Sequence, residues 1–417
     1  SVKIFQEAAA LFARIGDRHG EAFTYHSLGQ INSLLSDFEA SRTYHAKAAA
    51  IFRELDMRPQ YARAITDQAA VFYFEHRLDE AERLCLEALE IFEALNDRRG
   101  QAEIIGNLGA IQDNKGQPRK ALEYYFRALP ILQAENDRTQ ESSILSRIGS
   151  VYDDLGEPFP ALDYYEKALR IRREIGDERT EAYTLVNMSI VLRDLGQYDR
   201  AIENTERALQ IFFRIGQKYG QAATLNTLGN LYGNLKDNEK ALEYYERALE
   251  IIREIKLRDN EAAALSNVAT IKLGTGDERT ALKLFGESLQ IFRELKNRRG
   301  EARVLMKLGE AHLKTGNRQE ALGFFNQALE IFREVEDRSW EATTLFLIGE
   351  ANRKAGALQA AKSFYLNALG LTRDLKETAD EPQILLALAR AERNLNDPAA
   401  AQTRIEEAIK ILENTRA

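Results

Sequence analysis

Apolar side chains recur along the 417-residue chain at spacings of three, four and seven residues, which is the pattern of one face of an α-helix. Two such series alternate. With positions numbered 1 to 40 from Glu21, the first series occupies positions 5, 8 and 15, and the second occupies positions 21, 25, 28, 31 and 35. The pattern predicts pairs of α-helices, with the second helix of each pair longer than the first.

The pair of helices repeats every 40 residues, without insertion or deletion, from Glu21 onward. Closely similar sequences recur at the same place in different units, as in ALDYYEKALRIRREI at 161–175 and ALEYYERALEIIREI at 241–255. A fixed period of this size predicts a solenoid, in which each unit buries its apolar face against its neighbours. Residues 1–20 match only the second helix of the repeat, so a half repeat and one continuous domain are predicted. The ten full units are predicted to begin at residues 21, 61, 101, 141, 181, 221, 261, 301, 341 and 381.

Two positions of the repeat predict how the helices of a pair meet. Position 16 is Gly in six repeats, which suits the left-handed residue that ends a helix. Position 9 is Gly, Ala or Ser in all ten repeats, and position 28 is Ala in nearly all of them. Small residues in both columns predict a close approach of the two helix axes, which bulky side chains would prevent.

The charge balance and the cysteine count exclude some classes of protein. Lys and Arg number 57 against 65 Asp and Glu, giving a net charge of −8. A nucleic-acid partner is therefore not predicted, since such proteins need a positive stripe facing the phosphates. No apolar run reaches the roughly 20 residues of a membrane span, so no membrane partner is predicted. Cys85 is the one cysteine, which excludes an intrachain disulfide, fits a reducing compartment and predicts a cytoplasmic protein.

The pattern L-x-x-L-G, followed by Ala, an aromatic residue and a second Ala, resembles the tetratricopeptide repeat. The 40-residue unit is longer than the usual one of about 34 residues. It is similar to the repeats of kinesin light chains, of Pins/LGN-type adaptors and of bacterial signalling proteins that carry CHAT protease domains. The resemblance implies an all-α fold, namely a right-handed α-solenoid of about ten antiparallel helix pairs. In the repeat at 221–260, the residues that carry the resemblance are Leu225, Leu228, Gly229, Tyr232, Ala241, Tyr245 and Ala248.

The resemblance also implies that the first helices line a concave groove that binds extended peptides. In this register the groove face is positions 3, 6, 7, 10, 13 and 14. These positions hold three basic and six acidic residues in repeats 1–5, but seven basic and two acidic residues in repeats 6–10. Side-chain amides can pair with a peptide backbone, and charges can set its direction. We therefore expect a protein or peptide partner that is acidic toward the C-terminal half. The candidate groove residues are Asn107, Asn114, Arg147, Asn187, Asn226, Asn230, Asn267, Lys307, Lys314, Phe346, Arg353 and Arg390.

No motif of catalysis or cofactor binding stands out, because the chain lacks a glycine-rich phosphate loop, HExxH, CxxC and a nucleophile elbow. The five histidines occupy different register positions, which would place them on different faces, so no metal site is predicted. His45 and Cys85 share core position 25 and are predicted to be buried packing residues. The sequence therefore predicts a non-enzymatic binding scaffold without catalytic, cofactor-binding or metal-ligating residues.

Two alternative functions stay open at this point. One is a regulatory or sensor arm of a larger signalling enzyme, such as a CHAT-type protease. The other is a self-assembling array, in which apolar faces at the first and last helices stack end to end.

Repeat 3 departs from the pattern within one helix. Pro130 falls in the middle of the second helix, where it removes a backbone hydrogen bond. Glu135 occupies position 35, which is Ile, Leu or Val in the other repeats up to the ninth. A bend or weak point is predicted near residues 128–138.

Overall fold

The computed structural model describes residues 2–375 and 380–414, and their secondary structure is entirely helical. The prediction of an all-α solenoid is confirmed. No helix in these ranges is both long enough and apolar enough to cross a membrane. The helices are α1 Val2–Ile15, α2 Arg18–Leu34, α3 Phe38–Glu54, α4 Arg58–Phe74, α5 Leu78–Ala94, α6 Arg98–Asn114, α7 Pro118–Ala134, α8 Arg138–Asp154, α9 Pro158–Ile175, α10 Glu178–Asp194, α11 Tyr198–Arg214, α12 Lys218–Asn234, α13 Asn238–Glu254, α14 Arg258–Gly274, α15 Glu278–Glu294, α16 Arg298–Lys314, α17 Arg318–Glu334, α18 Arg338–Lys354, α19 Leu358–Leu375, α20 Glu381–Asn394 and α21 Pro398–Asn414.

The helices form two compact units, Ser1–Ile215 with α1–α11 and Gly216–Ala417 with α12–α21. Within each unit, every helix packs against the helices before and after it. The even-numbered helices α2 to α20 are the first helices of the ten repeats, and the odd-numbered helices α3 to α21 are the second helices. Helix α1 packs against α2 in the place that a second helix takes in the later repeats.

The two helices of a repeat have nearly the same length, so the prediction of a longer second helix is wrong. In repeat 6, for example, α12 and α13 each contain 17 residues. The first helix begins three residues before the counted unit, because a capping side chain stands there. In repeat 4, Asp137 accepts a hydrogen bond from the backbone N–H of Gln140 and starts α8 at Arg138.

Each repeat contains two tight turns that pass through a left-handed residue. At position 16, Gly116 has a φ of 69° and Lys236 a φ of 61°, which confirms the predicted turn. The second turn, at position 36, was not predicted. Its residues include Asn136 and Glu336, with φ of 53° and 56°, and few of them are glycines. Non-glycine residues tolerate a single left-handed position at a modest free-energy cost, so composition alone does not mark this turn.

The small residues at position 9 do allow a close approach, and the predicted packing is confirmed. A Cβ added to Gly109 would lie 2.5 Å from the ring of Tyr125, which stands at position 25 of the same repeat. Position 9 is Ala or Ser in repeats 2, 5, 7 and 10; repeat 7 keeps Phe at position 25, whereas repeats 2 and 5 have a smaller side chain there. These pairs are Ala69 with Cys85 and Ser189 with Thr205.

Substituting Gly149 by Leu is expected to lower the free energy of unfolding by about 1–3 kcal/mol through overpacking. A Cβ there already lies 2.9 Å from the ring of Tyr165, so one of the helices must move. Gly286→Leu is the control, since nothing lies within 4 Å of a Cβ at this helical position. Urea denaturation compares the two variants. An equal loss of stability in both would contradict the packing argument.

Helix α7 continues through Pro130 to Ala134, and Pro130 itself is exposed. Position 35 is also partly exposed in other repeats, as at Leu295 with 44%, so a charged residue there leaves the core intact. The carboxylate of Glu135 lies 3.7 Å from the guanidinium of Arg99. The interpretation of Glu135 as a packing fault is therefore wrong, while the bend or weak point near residues 128–138 stays a prediction.

Candidate functional site

Each first helix presents a stripe of mostly partly exposed side chains at positions 3, 6, 7, 10, 13 and 14. We call these positions of α2 to α20 the helix-A face. The other positions of these helices are mostly buried. First helices of successive repeats also contact each other directly. In the first unit these contacts join α2 with α4, α6 with α8 and α8 with α10, and in the second α14 with α16, α16 with α18 and α18 with α20. Side chains of neighbouring repeats therefore share one surface within each unit.

A cavity of about 160 Å³ opens on the helix-A face of the first unit, between α4, α6 and α8. It arises where repeat 2 has Ala69 and Cys85 in place of a glycine and an aromatic ring. Ala70 adds to the space, because it puts a methyl group at position 10. Burial raises the pKa of Cys85 to about 12, so its thiol stays protonated, and its predicted packing role is confirmed. The lining residues are Ala69, Ala70, Tyr73, Phe74, Cys85, Asn107, Ala110, Ile111 and Arg147.

The candidate amides differ in whether they already make hydrogen bonds within the protein. Asn114 donates from Nδ2 to the hydroxyl of Tyr73 at 2.6 Å, and Asn230 accepts from the hydroxyl of Tyr245 at 2.6 Å. Both amides therefore orient tyrosines. Asn226 is different, because its Oδ1 is buried and accepts no hydrogen bond from the described residues. Asn107, Asn187 and Asn267 are partly exposed at position 7.

Three carboxyl groups at the ends of α6 and α8 make the helix-A face of the first unit acidic. Partial burial, followed by the neighbouring charge of Asp154, raises the pKa of Asp113 and Asp153. Burial alone raises the pKa of Asp154. Ionised, these side chains repel one another, so the surface favours a cationic over an anionic group at this end.

Apart from Arg147, which lines the cavity of the first unit, the basic candidates lie on the helix-A face of the second unit. Two of them have acidic neighbours. The Nζ of Lys307 lies 2.9 Å from Glu310, and Arg353 lies 2.7 Å from Glu350. Lys314 donates to the carbonyl oxygen of Leu273 at 2.5 Å. The sequence predicts the number of these charges but not their pairing. The acidic neighbours neutralise part of the positive charge.

The remaining candidates of the second unit lie near its last repeats. Phe346 and Leu347 line a cavity of about 170 Å³ together with Ile384. The ring of Phe346 lies 5.8 Å from that of Tyr365, between centroids. Arg390 is exposed on α20 at position 10.

A larger open cavity of about 600 Å³ brings Asn267 and Lys307 together with residues that the sequence did not single out for binding. The most prominent is Trp340, whose ring lies 4.8 Å from the guanidinium carbon of Arg303 and 6.0 Å from the ring of Phe332. This cation–π contact holds a flat aromatic surface at the cavity wall. The one signal in the sequence is the single Trp of the chain, at position 40, where three of the other repeats have Gly.

Two of the five histidines lie close together in the structure. The prediction that all of them lie on different faces, away from each other, is wrong for this pair. His26 and His45 lie on facing helices of repeat 1, with ring centroids 5.4 Å apart. Asp67 of repeat 2 completes the group, with Oδ2 at 2.9 Å from Nε2 of His26. Burial lowers the pKa of His45 to about 4. Its side chain is only 1% exposed, as the sequence predicted.

Solved structures of other proteins share the fold. The quorum sensor NprR from B. thuringiensis, in its apo form, has a TM-score of 0.56 at 16% identity, covering 81% of this chain and 98% of that one. A Rap protein complexed with Competence and Sporulation Factor has a TM-score of 0.54 at 18% identity, covering 85% and 98%. A STAND protein with a tetratricopeptide repeat sensor, from Pyrococcus horikoshii, has 0.53 at 14% identity, covering 89% and 52%. At these identities the similarity shows the fold alone.

Family models match nearly all of the repeat array, whereas no curated protein sequence matches the chain. Residues 376–416 match the model described as anaphase-promoting complex subunit 5. The tetratricopeptide repeat model matches four times, at residues 60–134, 140–212, 220–294 and 300–374. Each of these matches spans about two of the 40-residue units. The chain therefore belongs to the tetratricopeptide repeat family.

Proposed function

We propose that this repeat scaffold is non-enzymatic and binds a peptide or an extended segment of a partner protein on its helix-A face. The observation that carries the proposal is the cavity between α4, α6 and α8. Its lining is mostly apolar, and Asn107 and Arg147 add one amide and one cationic group. A small number of polar groups around an apolar hollow is typical of a site that holds and orients a ligand.

The arrangement suits one apolar side chain of a peptide whose backbone runs along the first helices. The side chain fills the space left by Ala70 and Cys85, next to the ring of Tyr73. The amide of Asn107 can both donate to and accept from the peptide backbone, because it has both kinds of group. That a Rap protein of the same fold was solved with a bound factor supports a ligand-binding role.

Filling the cavity tests the proposal. Short random peptides are selected by phage display on the unaltered protein, and the affinity of an enriched peptide is measured by fluorescence anisotropy. Ala70→Ile should weaken binding by about 10-fold to 100-fold, because one buried apolar side chain loses its place. Isoleucine is the natural residue at this position in repeat 5, namely Ile190, so the fold should accept it.

Thr270→Ile is the matched control, because Thr270 stands at the same position of repeat 7 and is exposed. It should leave binding unchanged. Equal affinities of the two variants, or no enriched peptide on the unaltered protein, would contradict the proposal.

The basic groups of the second unit are proposed to favour an acidic segment of the partner. The combined variant Lys307→Glu, Arg353→Glu and Arg390→Glu should weaken binding of acidic peptides by about 10-fold or more. This expectation rests on up to about 1 kcal/mol per exposed ion pair, and the salt dependence of binding should fall as well. Anisotropy titrations at two salt concentrations measure both effects.

The control for this prediction reverses three charges on second helices of the same unit, with Arg247→Glu, Lys283→Glu and Arg318→Glu. It changes the net charge equally but leaves the helix-A face intact. If both triple variants lose the same affinity, only the overall charge matters and the basic candidates are not the site.

End-to-end self-association is a second candidate function, because apolar residues are exposed on the first and last helices. Ile4 and Ile15 of α1 are 69% and 63% exposed, and Ile405 and Ile409 of α21 are 42% and 49% exposed. Stacking would bury these faces as neighbouring repeats do. Sedimentation velocity of the protein and of Ile409→Glu tests this: a concentration-dependent assembly that the substitution leaves unchanged would contradict it.

The third alternative, a regulatory arm of a larger signalling enzyme, stays a prediction. The Pyrococcus horikoshii protein contains its repeats as a sensor beside other domains, and this chain covers 52% of it. No side chain of the described residues favours that role over a binding scaffold.

A further inference from the structure

A cluster of two histidines and one aspartate stands apart from the proposed peptide cavity. It is built by three successive helices, with His26 on α2, His45 on α3 and Asp67 on α4. Each side chain offers one ligand atom, and these atoms lie within 4.8 Å of one another. Two imidazoles and one carboxylate at this spacing are the donor set of many three-residue metal sites.

The cluster is held in place by its surroundings. A Cβ on Gly29 would lie 2.6 Å from the ring of His45, so the glycine is what lets this ring pass between the helices. Asp67 accepts a second hydrogen bond at Oδ2, from Nε2 of Gln30 at 3.1 Å. Orienting groups of this kind fix the ligands of a metal site before the ion arrives.

One nitrogen of the cluster is unsatisfied. His45 is 1% exposed, yet its Nδ1 has no hydrogen-bond partner among the described residues. Buried polar atoms almost always have a partner, and each exception calls for an explanation. A metal ion bound at Nδ1 would supply the missing partner.

We propose that His26, His45 and Asp67 bind one divalent transition-metal ion of the Zn²⁺ type. Imidazole nitrogen and carboxylate oxygen suit zinc at about 2.0–2.2 Å, whereas magnesium and calcium prefer oxygen ligands alone. Small rotations of the three side chains bring the donor atoms onto one ion. This inference does not depend on the proposed peptide binding.

The tautomers of the two histidines decide which nitrogens can face the ion, because an imidazole binds a metal through an unprotonated nitrogen. His26 presents Nε2 to the ion once its proton resides on Nδ1 instead of pointing at Asp67. Metal binding thus replaces the hydrogen bond between His26 and Asp67 and competes with protons.

The ion has a route into the site. The side chains of His26 and Asp67 are 18% and 37% exposed, and both line an open cavity of about 400 Å³ together with Gln30 and Glu103. Three protein ligands leave a fourth coordination position for water or a partner's side chain on that side. The equivalent positions of the other repeats do not carry two histidines, so the site is confined to α2, α3 and α4.

The test uses the whole chain after treatment with a chelator. Co²⁺ titration is followed by visible absorption, which reports four-coordinate geometry, and Zn²⁺ titration is followed by calorimetry. We expect one ion per chain, a tetrahedral Co²⁺ spectrum that Zn²⁺ abolishes, and a higher Tm with Zn²⁺.

Variants taken from the chain's own repeats decide whether these three residues are the ligands. His45→Phe introduces the residue of repeats 7 and 8, and Asp67→Asn that of repeats 3, 5 and 7. Each of these two substitutions should weaken Zn²⁺ binding by about 100-fold or more. Loss of a residue that only orients a metal ligand weakens binding by about 10-fold to 100-fold. His76→Gly, the residue of six other repeats, removes a histidine outside the cluster and should change nothing.

Circular dichroism confirms that each variant is folded, and Asp67→Asn serves if His45→Phe is not. The proposal is overturned if Zn²⁺ binds Asp67→Asn and His76→Gly equally well. It is also overturned if Co²⁺ gives no tetrahedral spectrum in the unaltered protein, since binding would then come from surface carboxylates.

Discussion

Replacing Arg172 by Phe is expected to stabilise the protein by about 1–4 kcal/mol, although it removes several hydrogen bonds. Arg172 is 6% exposed on α9, and burial lowers the pKa of its guanidinium. The described hydrogen bonds of the side chain go to neutral oxygens, those of Ser146, Thr180 and Thr184. Its Nε is buried without a partner in this part of the chain. A buried charge without a bonded carboxylate is poorly compensated for the water it has lost.

The repeat itself shows which residue fits there. Arg172 occupies position 32, where five other repeats place a phenylalanine, and Phe212 and Phe332 are fully buried at that position. A phenylalanine in repeat 4 should therefore pack against α10, as the ring of Phe332 packs against Trp340 of α18. It also removes the desolvation of the guanidinium, so both effects act in the same direction.

Urea denaturation followed by circular dichroism measures the change, with a higher midpoint expected for Arg172→Phe. Arg173→Ala is the control at the neighbouring position, where the guanidinium is 40% exposed and lies 2.8 Å from Glu181. Loss of that surface ion pair should change stability by less than about 1 kcal/mol. A lower midpoint for Arg172→Phe would mean that the buried hydrogen bonds outweigh the desolvation.

The fold was predictable because its determinants are local and repeated ten times. The glycines of position 16 and the small residues of position 9 each have one physical reason, a left-handed turn or a close helix contact. The second turn escaped prediction because residues as different as Asn136 and Glu336 adopt it.

The candidate site was less predictable, because it depends on how helices face each other. A register count places His26 and His45 at unrelated positions, yet the two helices of a hairpin turn these positions toward each other. The cavity beside Asn107 likewise follows from a pair, Ala69 with Cys85, that is smaller than the glycine–aromatic pair of other repeats. Periodicity identifies the exposed stripe, but contacts between columns decide which of its residues lie beside a cavity.

Acid is expected to destabilise the protein through His45, and the substitution His45→Phe should remove that part of the effect. The buried imidazole has a pKa of about 4, against 6.5 in the unfolded chain. Between these values the unfolded state binds more protons, so stability is full above pH 6.5 and falls as the pH drops toward 4. The difference between the two pKa values corresponds to a loss of about 3 kcal/mol in the free energy of unfolding once the pH is below both values, since one pKa unit is about 1.4 kcal/mol.

Urea denaturation at pH 7 and pH 5, in the presence of a chelator, measures how steeply the free energy of unfolding changes with pH. This slope is compared between the unaltered protein and His45→Phe. The comparison of slopes matters because His45→Phe also changes packing against Gly29, which shifts stability equally at both pH values. Asp67 lies near the ring, but its pKa is lowered from an ordinary value of 3.8, so its own loss of stability falls below this window. His76→Gly should keep the slope of the unaltered protein. If His45→Phe keeps it too, the imidazole of His45 is not buried in the neutral form.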